Sequence, residues 1–376
     1  MSATWLLARR NLLRSRARLA VSIGGVALAL TLVLALDAIF EGVGRQLTAY
    51  VDRSGADVWV AQSGVRNLHM VASWMPAATT DAVADVDGVA LAEPILYTTD
   101  SMSAGDERGW AYVIGLTPDA SMGGPWDVVE GTDRPGPGEA VIDRRFAQRA
   151  GVGLGDRVPM LGREFRVAGL TEGTASLVNS VAFVPFDDFA ARRGGEPAIS
   201  YVLVRASAGT SPDALAERIG TSVDGVAVQT TAAFGLAERK LVLDMSGDVI
   251  SIMNVIGFVV GLAVVALTVY IATLALRREY GSLKAFGAPD GYLYRVVLAQ
   301  AGMSVVAGFV AAVAITAALS AIVPRTGVNL DLAIAGASLV KVAAVAAVIA
   351  ALAALLPIHQ IARLDPVIVA REGVST

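Results

Sequence analysis

Cysteine is absent from this 376-residue sequence, and histidine is confined to His69 and His359. The absence of cysteine excludes disulfides, thiolate metal sites and cysteine nucleophiles. Charged residues are also scarce, at 17% of the chain, whereas soluble proteins contain about 25%. The formal net charge of −4 gives no general affinity for nucleic acid, so no nucleic-acid partner is predicted.

Motifs of catalysis and of nucleotide binding are missing as well. The sequence contains no G-x-x-x-x-G-K-[ST] phosphate-binding loop, no H-E-x-x-H and no G-x-S-x-G. We therefore expect a chain that is not catalytic by itself and that binds no cofactor and no metal.

Hydrophobic residues make up 55% of the chain and concentrate in four long stretches. A bilayer core requires about 20 apolar residues in a helix. The stretches are Leu19–Leu36, which continues to Phe40 beyond Asp37, then Val249–Leu276, Val296–Val323 and Val342–Ile358. The sequence therefore predicts four transmembrane helices, at residues 19–40, 249–276, 296–323 and 337–358. A cleaved signal peptide is the alternative for the first stretch, but its length and the lack of a cleavage site favour an uncleaved anchor.

Basic residues are distributed unevenly around these stretches, and cytoplasmic flanks carry the excess of arginine and lysine. The flank before the first stretch holds Arg9, Arg10, Arg14, Arg16 and Arg18, and the 277–295 loop holds Arg277, Arg278, Lys284 and Arg295. The short loop at 324–336 holds only Arg325. Both termini (residues 1–18 and 359–376) and the 277–295 loop are therefore predicted to be cytoplasmic, and residues 41–248 to lie outside.

Residues 41–248 have the composition of a soluble domain, in which glycine, proline and aspartate turns separate short segments. The predicted strands are Asp57–Ala61, Trp110–Leu116, Ala140–Asp143, Arg157–Leu161, Phe165–Leu170, Val181–Pro185 and Tyr201–Arg205. The predicted helices are Arg144–Ala150 and Pro212–Ile219, the second with Ser211 as its N-cap. The expected fold is an α-helical membrane protein with an α+β extracytoplasmic domain inserted between transmembrane helices 1 and 2.

Apolar residues at helical spacing connect this domain to the membrane on both sides. Val43, Leu47 and Tyr50 continue the first helix, and Phe234 and Leu241 begin a stripe that leads into the second. We expect two helical stalks whose apolar faces meet each other or a second subunit. Packing of both stripes on the domain is the alternative.

One loop of the domain is unusually apolar. Between Gly64 and Pro76 it contains Leu68, Met70, Val71, Trp74 and Met75. These residues are interpreted either as a patch that contacts substrate, lipid or a partner, or as part of the domain core.

Two features of the apolar stretches concern packing and charge. Gly257 and Gly261 form a small-x-x-x-small pattern that allows close approach of two helices. Lys341 lies about one turn inside the fourth helix, where we expect it to extend toward the outer headgroups rather than to act as an intramembrane charge.

The 277–295 loop contains a short amphipathic segment. Leu283 and Phe286 are three residues apart, which indicates a surface helix, and Gly287 followed by Pro289 is suited to ending it. Such a helix offers a contact for a cytoplasmic partner.

The segment Arg278-Glu279-x-Gly281-x-Leu283-Lys284-Ala285-Phe286-Gly287-Ala288 resembles the coupling-helix motif of the FtsX/MacB-type ABC transporter permeases. Three other segments agree with this. Leu7–Leu12 is similar to the family's amphipathic N-terminal helix, and Ala362–Pro366 resembles its C-terminal motif. Gly138–Ile142, Gly155–Val158 and Phe165–Gly169 resemble its extracytoplasmic domain. Lacking a fused ATPase domain, the chain looks more like the stand-alone DevC- or LolC-type permeases. Tyr280 stands where many family members have an aliphatic residue, and it is expected to adjust the choice of partner.

This resemblance implies a set of partners. They are a cytoplasmic ABC ATPase subunit in two copies, a second permease copy in a homodimer or heterodimer, an extracytoplasmic adaptor protein and membrane lipid. ATP and Mg are expected on the ATPase, none on this chain. The coupling residues would be Arg278, Glu279, Gly281, Leu283, Lys284, Ala285, Phe286, Gly287 and Ala288. The location implied is the bacterial cytoplasmic membrane.

Two functions are compatible with the resemblance. In the first, the permease transmits ATP-driven motion to the outer domain and exports or extracts a hydrophobic or amphipathic substrate, such as a lipid, a lipopeptide or a peptide. In the second, an FtsX-like relay activates an extracytoplasmic cell-wall hydrolase. The large outer domain favours the first. A membrane anchor that displays a binding domain would explain the topology but not the cytoplasmic motif.

Overall fold

The structure, a computed structural model, describes residues 16–68, 71–104, 107–175, 179–192, 197–275, 277–326 and 332–362. Most of the predicted N-terminal helix (residues 1–15), Met70, and residues 363–376 of the C-terminal motif and tail lie outside these ranges. The chain divides into two compact units. One is the domain, Val43–Met245, and the other is the helical unit formed by the long apolar helices before and after it.

The elements are, in chain order, α1 Arg16–Asp52, β1 Val58–Gln62, β2 Met75–Pro76, α2 Thr79–Ala84, β3 Val89–Ala104, β4 Glu107–Leu116, β5 Val128–Gly131, β6 Glu139–Asp143, α3 Arg144–Ala150, β7 Arg157–Met160, β8 Arg163–Thr171, β9 Asn179–Pro185, α4 Phe186–Arg192, β10 Ala198–Ile199, β11 Tyr201–Ala206, α5 Pro212–Ser222, β12 Val226–Thr230, α6 Thr231–Ala275, α7 Arg277–Ala285, α8 Asp290–Ile322, a 3₁₀ turn Val323–Thr326, and α9 Gly336–Ala362.

Within the described ranges, four helices are long and apolar enough to cross a membrane, as predicted. The qualifying segments are Leu19–Asp52, Ser251–Ala275, Asp290–Ile322 and Gly336–Leu355. The third helix starts at Asp290, earlier than the expected residue 296, because Pro289 in an extended conformation gives the helix its start directly after the preceding turn. The 277–295 loop is consequently a short helix followed by a turn and the first residues of α8.

The domain is built on one mixed sheet whose strand order is β12-β1-β11-β3-β4-β9-β6-β8-β5, with β7 paired to β8. The β4–β9 and β6–β8 pairs are parallel, and the remaining pairs of this sheet are antiparallel. Every strand predicted from the sequence is present, with small shifts at the ends. Ser211 caps α5 by accepting a hydrogen bond from the Ala214 N–H at 3.3 Å, as its position before Pro212 predicts.

Large aromatic side chains fill the domain core where α1 and α6 enter it. Trp59 on β1 stacks on Phe234 of α6 with ring centres 4.9 Å apart and ring planes 10° apart. Tyr50, near the end of α1, donates a hydrogen bond from its hydroxyl to the Gly123 carbonyl and meets Trp59 edge-on. The stripes on both helices therefore pack on the domain at these ends, which is the alternative that sequence analysis left open for the stalks.

Small residues allow the helices of the helical unit to approach closely. A Cβ atom added at Gly257 of α6 would lie 2.4 Å from Cγ2 of Val33 on α1, and one at Gly261 would lie 3.3 Å from Cβ of Ala29. A Cβ atom at Gly308 of α8 would lie 2.5 Å from Cγ1 of Val26. Such contacts bring backbones together where apolar burial provides little association energy. Gly257 and Gly261 thus lie at helix contacts.

Candidate functional site

The short helix α7 ends in a rigid turn. Gly287 has a φ of +85°, the left-handed conformation that side chains with a Cβ rarely adopt. The Ala288 N–H donates to the Leu283 carbonyl at 3.0 Å, and the Gly287 N–H donates to the Lys284 carbonyl at 2.9 Å. This pair of hydrogen bonds is the Schellman motif, which satisfies carbonyls left without partners at a helix end. The turn fixes the direction of the chain between α7 and α8.

One face of α7 is held by the helical unit. Tyr280 is fully buried in its core, together with Leu293 and Val296 of α8, and Leu283 packs partly against the same cluster. The Tyr280 side chain therefore supports the helix from inside rather than facing a partner, contrary to its expected role in partner choice. Packing of Tyr280 and Leu283 against this core fixes the position of α7.

The other face is open. Phe286 is 90% exposed, more than any other large apolar side chain in the described ranges. Glu279, Ala285 and Gly287 are exposed beside it. Of the two apolar residues of the amphipathic segment, Phe286 is thus available to a partner, whereas Leu283 is partly buried against the core of the helical unit. Arg278 lies in α7 as well.

Lys284 has an internal role. Its ammonium group lies 2.8 Å from a carboxylate oxygen of Asp290, the first residue of α8. The Lys284 side chain is mostly buried, so this ion pair ties the last turn of α7 to the start of α8. Gly281 is buried and Ala288 half-buried on the same inner side. The predicted coupling residues therefore form one compact loop with an outward aromatic side chain.

The apolar segment at 68–75 is divided by the structure. Leu68 and Met75 are buried in the domain core, and Met75 pairs with Ile199 across β2 and β10. Val71 and Trp74 are 56% and 46% exposed, respectively. Met70 lies outside the described residues. Contact with substrate or a partner stays a prediction, and among the described residues it now concerns Val71 and Trp74.

The segment is fixed to α6 at its start. The Leu68 N–H donates a hydrogen bond to Oε1 of Glu238, a buried residue of α6. The Tyr201 hydroxyl donates to the neighbouring Asn67 carbonyl at 3.5 Å. Burial, and then the nearby Glu238 carboxylate, raise the pKa of Tyr201 above its usual value, which disfavours ionisation of this donor still further. Sequence reasoning missed these anchors because they join residues far apart in the chain.

A cavity in the domain was also missed. It has a volume of about 650 Å³ and lies directly after the end of α1. Residues 53–55, the 116–126 loop, the proline-rich 133–137 turn and the start of α4 line it. This volume is in the range typical of small-molecule sites, about 300–1,000 Å³.

Lys341 has a protein partner. Its ammonium group lies 2.8 Å from a carboxylate oxygen of Asp37 on α1, and the Lys341 side chain is about half exposed. Next to this pair, the Ala333 N–H donates to the Ala38 carbonyl at 3.1 Å. The expected extension of Lys341 toward headgroups stays a prediction, but the ion pair shows that this lysine also joins α1 to α9.

Comparison with known proteins gave matches for both parts of the chain. Residues 19–222 match the MacB-like periplasmic core domain, and residues 251–366 match the FtsX-like permease C-terminal domain. No curated protein matches the chain.

The solved structures that it resembles include the following two. The extracellular domain of the noncanonic ABC-type transporter YknZ from Gram-positive bacteria is 14% identical; the match covers 46% of this chain and 100% of that one, with a TM-score of 0.37. The periplasmic region of MacB from Actinobacillus actinomycetemcomitans is 13% identical, and the match covers 49% of this chain and 92% of that one, also with a TM-score of 0.37.

Proposed function

The chain belongs to the FtsX/MacB family of ABC transporter permeases, and from this premise we propose that it exports or extracts a hydrophobic or amphipathic substrate by transmitting ATP-driven motion to its extracytoplasmic domain. Permeases of this family are multi-pass proteins of the bacterial inner membrane that associate with a cytoplasmic ABC ATPase and are not themselves catalytic. The transmission of ATP-driven motion to the domain and the class of substrate are what we propose.

The observation that carries the proposal is the exposed Phe286 at the end of a fixed helix. A large apolar side chain in water is unfavourable, and its burial in a partner groove is worth about 1.5–3 kcal/mol. The Schellman turn and the Lys284–Asp290 ion pair hold this side chain in a defined position. A force applied to Phe286 would therefore reach α8 without being absorbed by a flexible loop.

The topology follows the basic residues around the helices. We propose that both termini and α7 are cytoplasmic, where the ATPase would meet Phe286, and that the domain is on the opposite side. Two ATPase copies, a second permease copy and an extracytoplasmic adaptor complete the proposed assembly. ATP and Mg would bind to the ATPase.

Co-purification with the cognate ATPase and ATP turnover of the complex test this proposal. On the burial estimate, Phe286→Ala should weaken assembly by roughly one to two orders of magnitude in affinity. Phe286→Leu retains an apolar anchor of similar size and is the matched control, with binding close to that of the unchanged chain. Gly287→Val should reduce coupled turnover because a β-branched residue is strained at a φ of +85°.

The domain provides an internal standard, since it does not contain α7. Unchanged unfolding of the domain in both variants would separate a coupling defect from misfolding. Full binding and full turnover in both Phe286→Ala and Gly287→Val would mean that this loop is not the coupling element.

A further inference from the structure

The cavity after α1 has the lining of a binding site for a flat apolar group. Leu116 and Val184 form apolar walls, and Pro118, Pro125 and Pro185 add rigid ring surfaces. Trp126 is the aromatic side chain of the lining. Ligand sites combine such apolar and aromatic walls with a few polar groups that orient the ligand.

Trp126 is held from several sides and has an unused donor. Its ring lies 6.3 Å from that of Tyr50 and 6.0 Å from that of Phe183, and Cζ of Arg53 lies 5.9 Å from its centre. Its indole Nε1–H is buried and has no hydrogen-bond partner among the described residues. A buried donor without a partner costs about 1–3 kcal/mol. Because this nitrogen is out of reach of solvent, it does not line the cavity, and Trp126 offers a ligand its ring rather than its donor.

The unpaired charges of the lining favour a cation. Arg53 forms an ion pair with Asp127, and Asp188 forms one with Arg163. Arg134 donates to the neutral Pro118 carbonyl at 3.3 Å and keeps its positive charge, which offsets one carboxylate of the lining. No side-chain hydrogen bond or ion pair joins the Asp133 or Asp187 carboxylate to any other described residue, which leaves two negative charges against the one positive charge of Arg134.

The end of α1 adds to this preference. Residues 53–55 of the cavity wall directly follow Asp52, the last residue of the helix. The C-terminal end of a helix carries a partial negative charge, which attracts cations. The end of the helix and both carboxylates favour a cation. The Arg134 guanidinium opposes it, and that of Arg53 is neutralised by Asp127.

We propose that this cavity binds an amphipathic small-molecule cation with a flat apolar ring. The ring packs against Trp126 and the prolines, and the positive charge is neutralised by Asp133 and Asp187. The inference deepens the proposed function, because it assigns a substrate class to the domain.

Calorimetric titration of the full chain in lipid nanodiscs tests the proposal, with empty nanodiscs as the blank. The probes are N-(1-naphthyl)ethylenediamine, which is cationic, and 1-naphthaleneacetate, which has the same ring and the opposite charge. We expect the cation to bind at least fivefold more tightly than the anion. Single Asp133→Asn or Asp187→Asn variants should each weaken the cation about two- to fivefold, as for a solvent-exposed ion pair.

Gly124→Leu tests the cavity independently of charge. A Cβ atom at Gly124 would meet only Cδ1 of Leu116 at 3.8 Å, an ordinary contact, so the rest of the leucine would occupy cavity space. We expect this variant to lose binding of both probes. Equal heats in Gly124→Leu and the unchanged chain would overturn the cavity as the site, and an anion bound as tightly as the cation would overturn the charge assignment. If Gly124→Leu does not fold, the aspartate variants alone decide. The titration contains neither ATPase nor ATP. A defect in coupling to the ATPase therefore cannot be mistaken for a loss of ligand binding.

Discussion

The domain and the helical unit are stabilised by different kinds of contact. In the domain, large side chains such as Trp59, Tyr201 and Phe234 are withdrawn from solvent. Buried carboxylates bind backbone N–H groups: Glu93 accepts from Ser121 and Met122. Water outside makes apolar burial favourable, and the buried acids are tolerated because they are hydrogen-bonded.

The helical unit differs because it exposes many large apolar side chains while burying others. Val255, Val259 and Leu267 of α6 are exposed, whereas Leu293 and Val296 of α8 are buried in its core. Its interior contacts involve glycines 257, 261 and 308. Lipid tails are as apolar as these side chains, so burying them gains little, and association depends on close packing. The same type of residue is therefore expected to contribute differently to the stability of the two units.

The largest expected effect is in the domain. Trp59→Ala removes a fully buried ring and should lower the free energy of unfolding of the domain by about 3–5 kcal/mol. The matched control is Trp110→Ala, since Trp110 is 57% exposed, and its effect should stay within about 0.5 kcal/mol. Chemical denaturation of the full chain, followed by circular dichroism, measures both. Equal effects would show that ring burial does not distinguish the two positions.

An intermediate effect is expected in the helical unit. Gly308→Ala places a Cβ atom 2.5 Å from Cγ1 of Val26 and 3.2 Å from the Ala27 backbone nitrogen, and this overpacking should cost about 1–3 kcal/mol. Gly302→Ala on the same helix meets nothing within 4 Å and should be neutral or slightly stabilising. The measurement is the fraction of monodisperse protein after heating in detergent. If Gly302→Ala is as harmful as Gly308→Ala, the glycine contacts are not what holds α8.

The smallest effect is expected at the Asp37–Lys341 ion pair. A half-exposed pair is worth about 0.2–1 kcal/mol. A double-mutant cycle with Asp37→Asn and Lys341→Met isolates this coupling from the other effects of each change. The same heating measurement applies. A coupling energy of zero would leave headgroup contact as the role of Lys341.

Sequence patterns predicted the helical unit more fully than the domain. The four spans follow from composition alone, because no other environment accepts stretches of this length. In the domain, the sequence predicts seven strands of the main sheet but not β3, β5 or β12, and β3 is the longest of these three. Pro94 lies in its middle, and polar residues from Thr98 to Ser101 interrupt the apolar pattern, so pairing with β4 and β11 decides its conformation.

The candidate sites also differ in how far they can be predicted from the sequence. The turn at Gly287 could be predicted, since the signal is local: a glycine after an amphipathic segment and a proline two residues later. The cavity could not, because its walls come from separate parts of the chain. Nor could the partner of Lys341: Asp37 and Lys341 were each placed at the outer end of a helix, but only the packing of α1 beside α9 joins them.

The length of β3 has a mechanical consequence for the domain. Its 16 residues extend over about 50 Å at 3.3 Å per residue. Along this length Val89 packs against one hydrophobic cluster, Ile95 belongs to a second and Leu96 to a third. The parts of the domain on either side of β3 cannot separate without breaking its hydrogen-bond ladders with β4 and β11. β3 therefore joins the three hydrophobic clusters into one continuous sheet-based body.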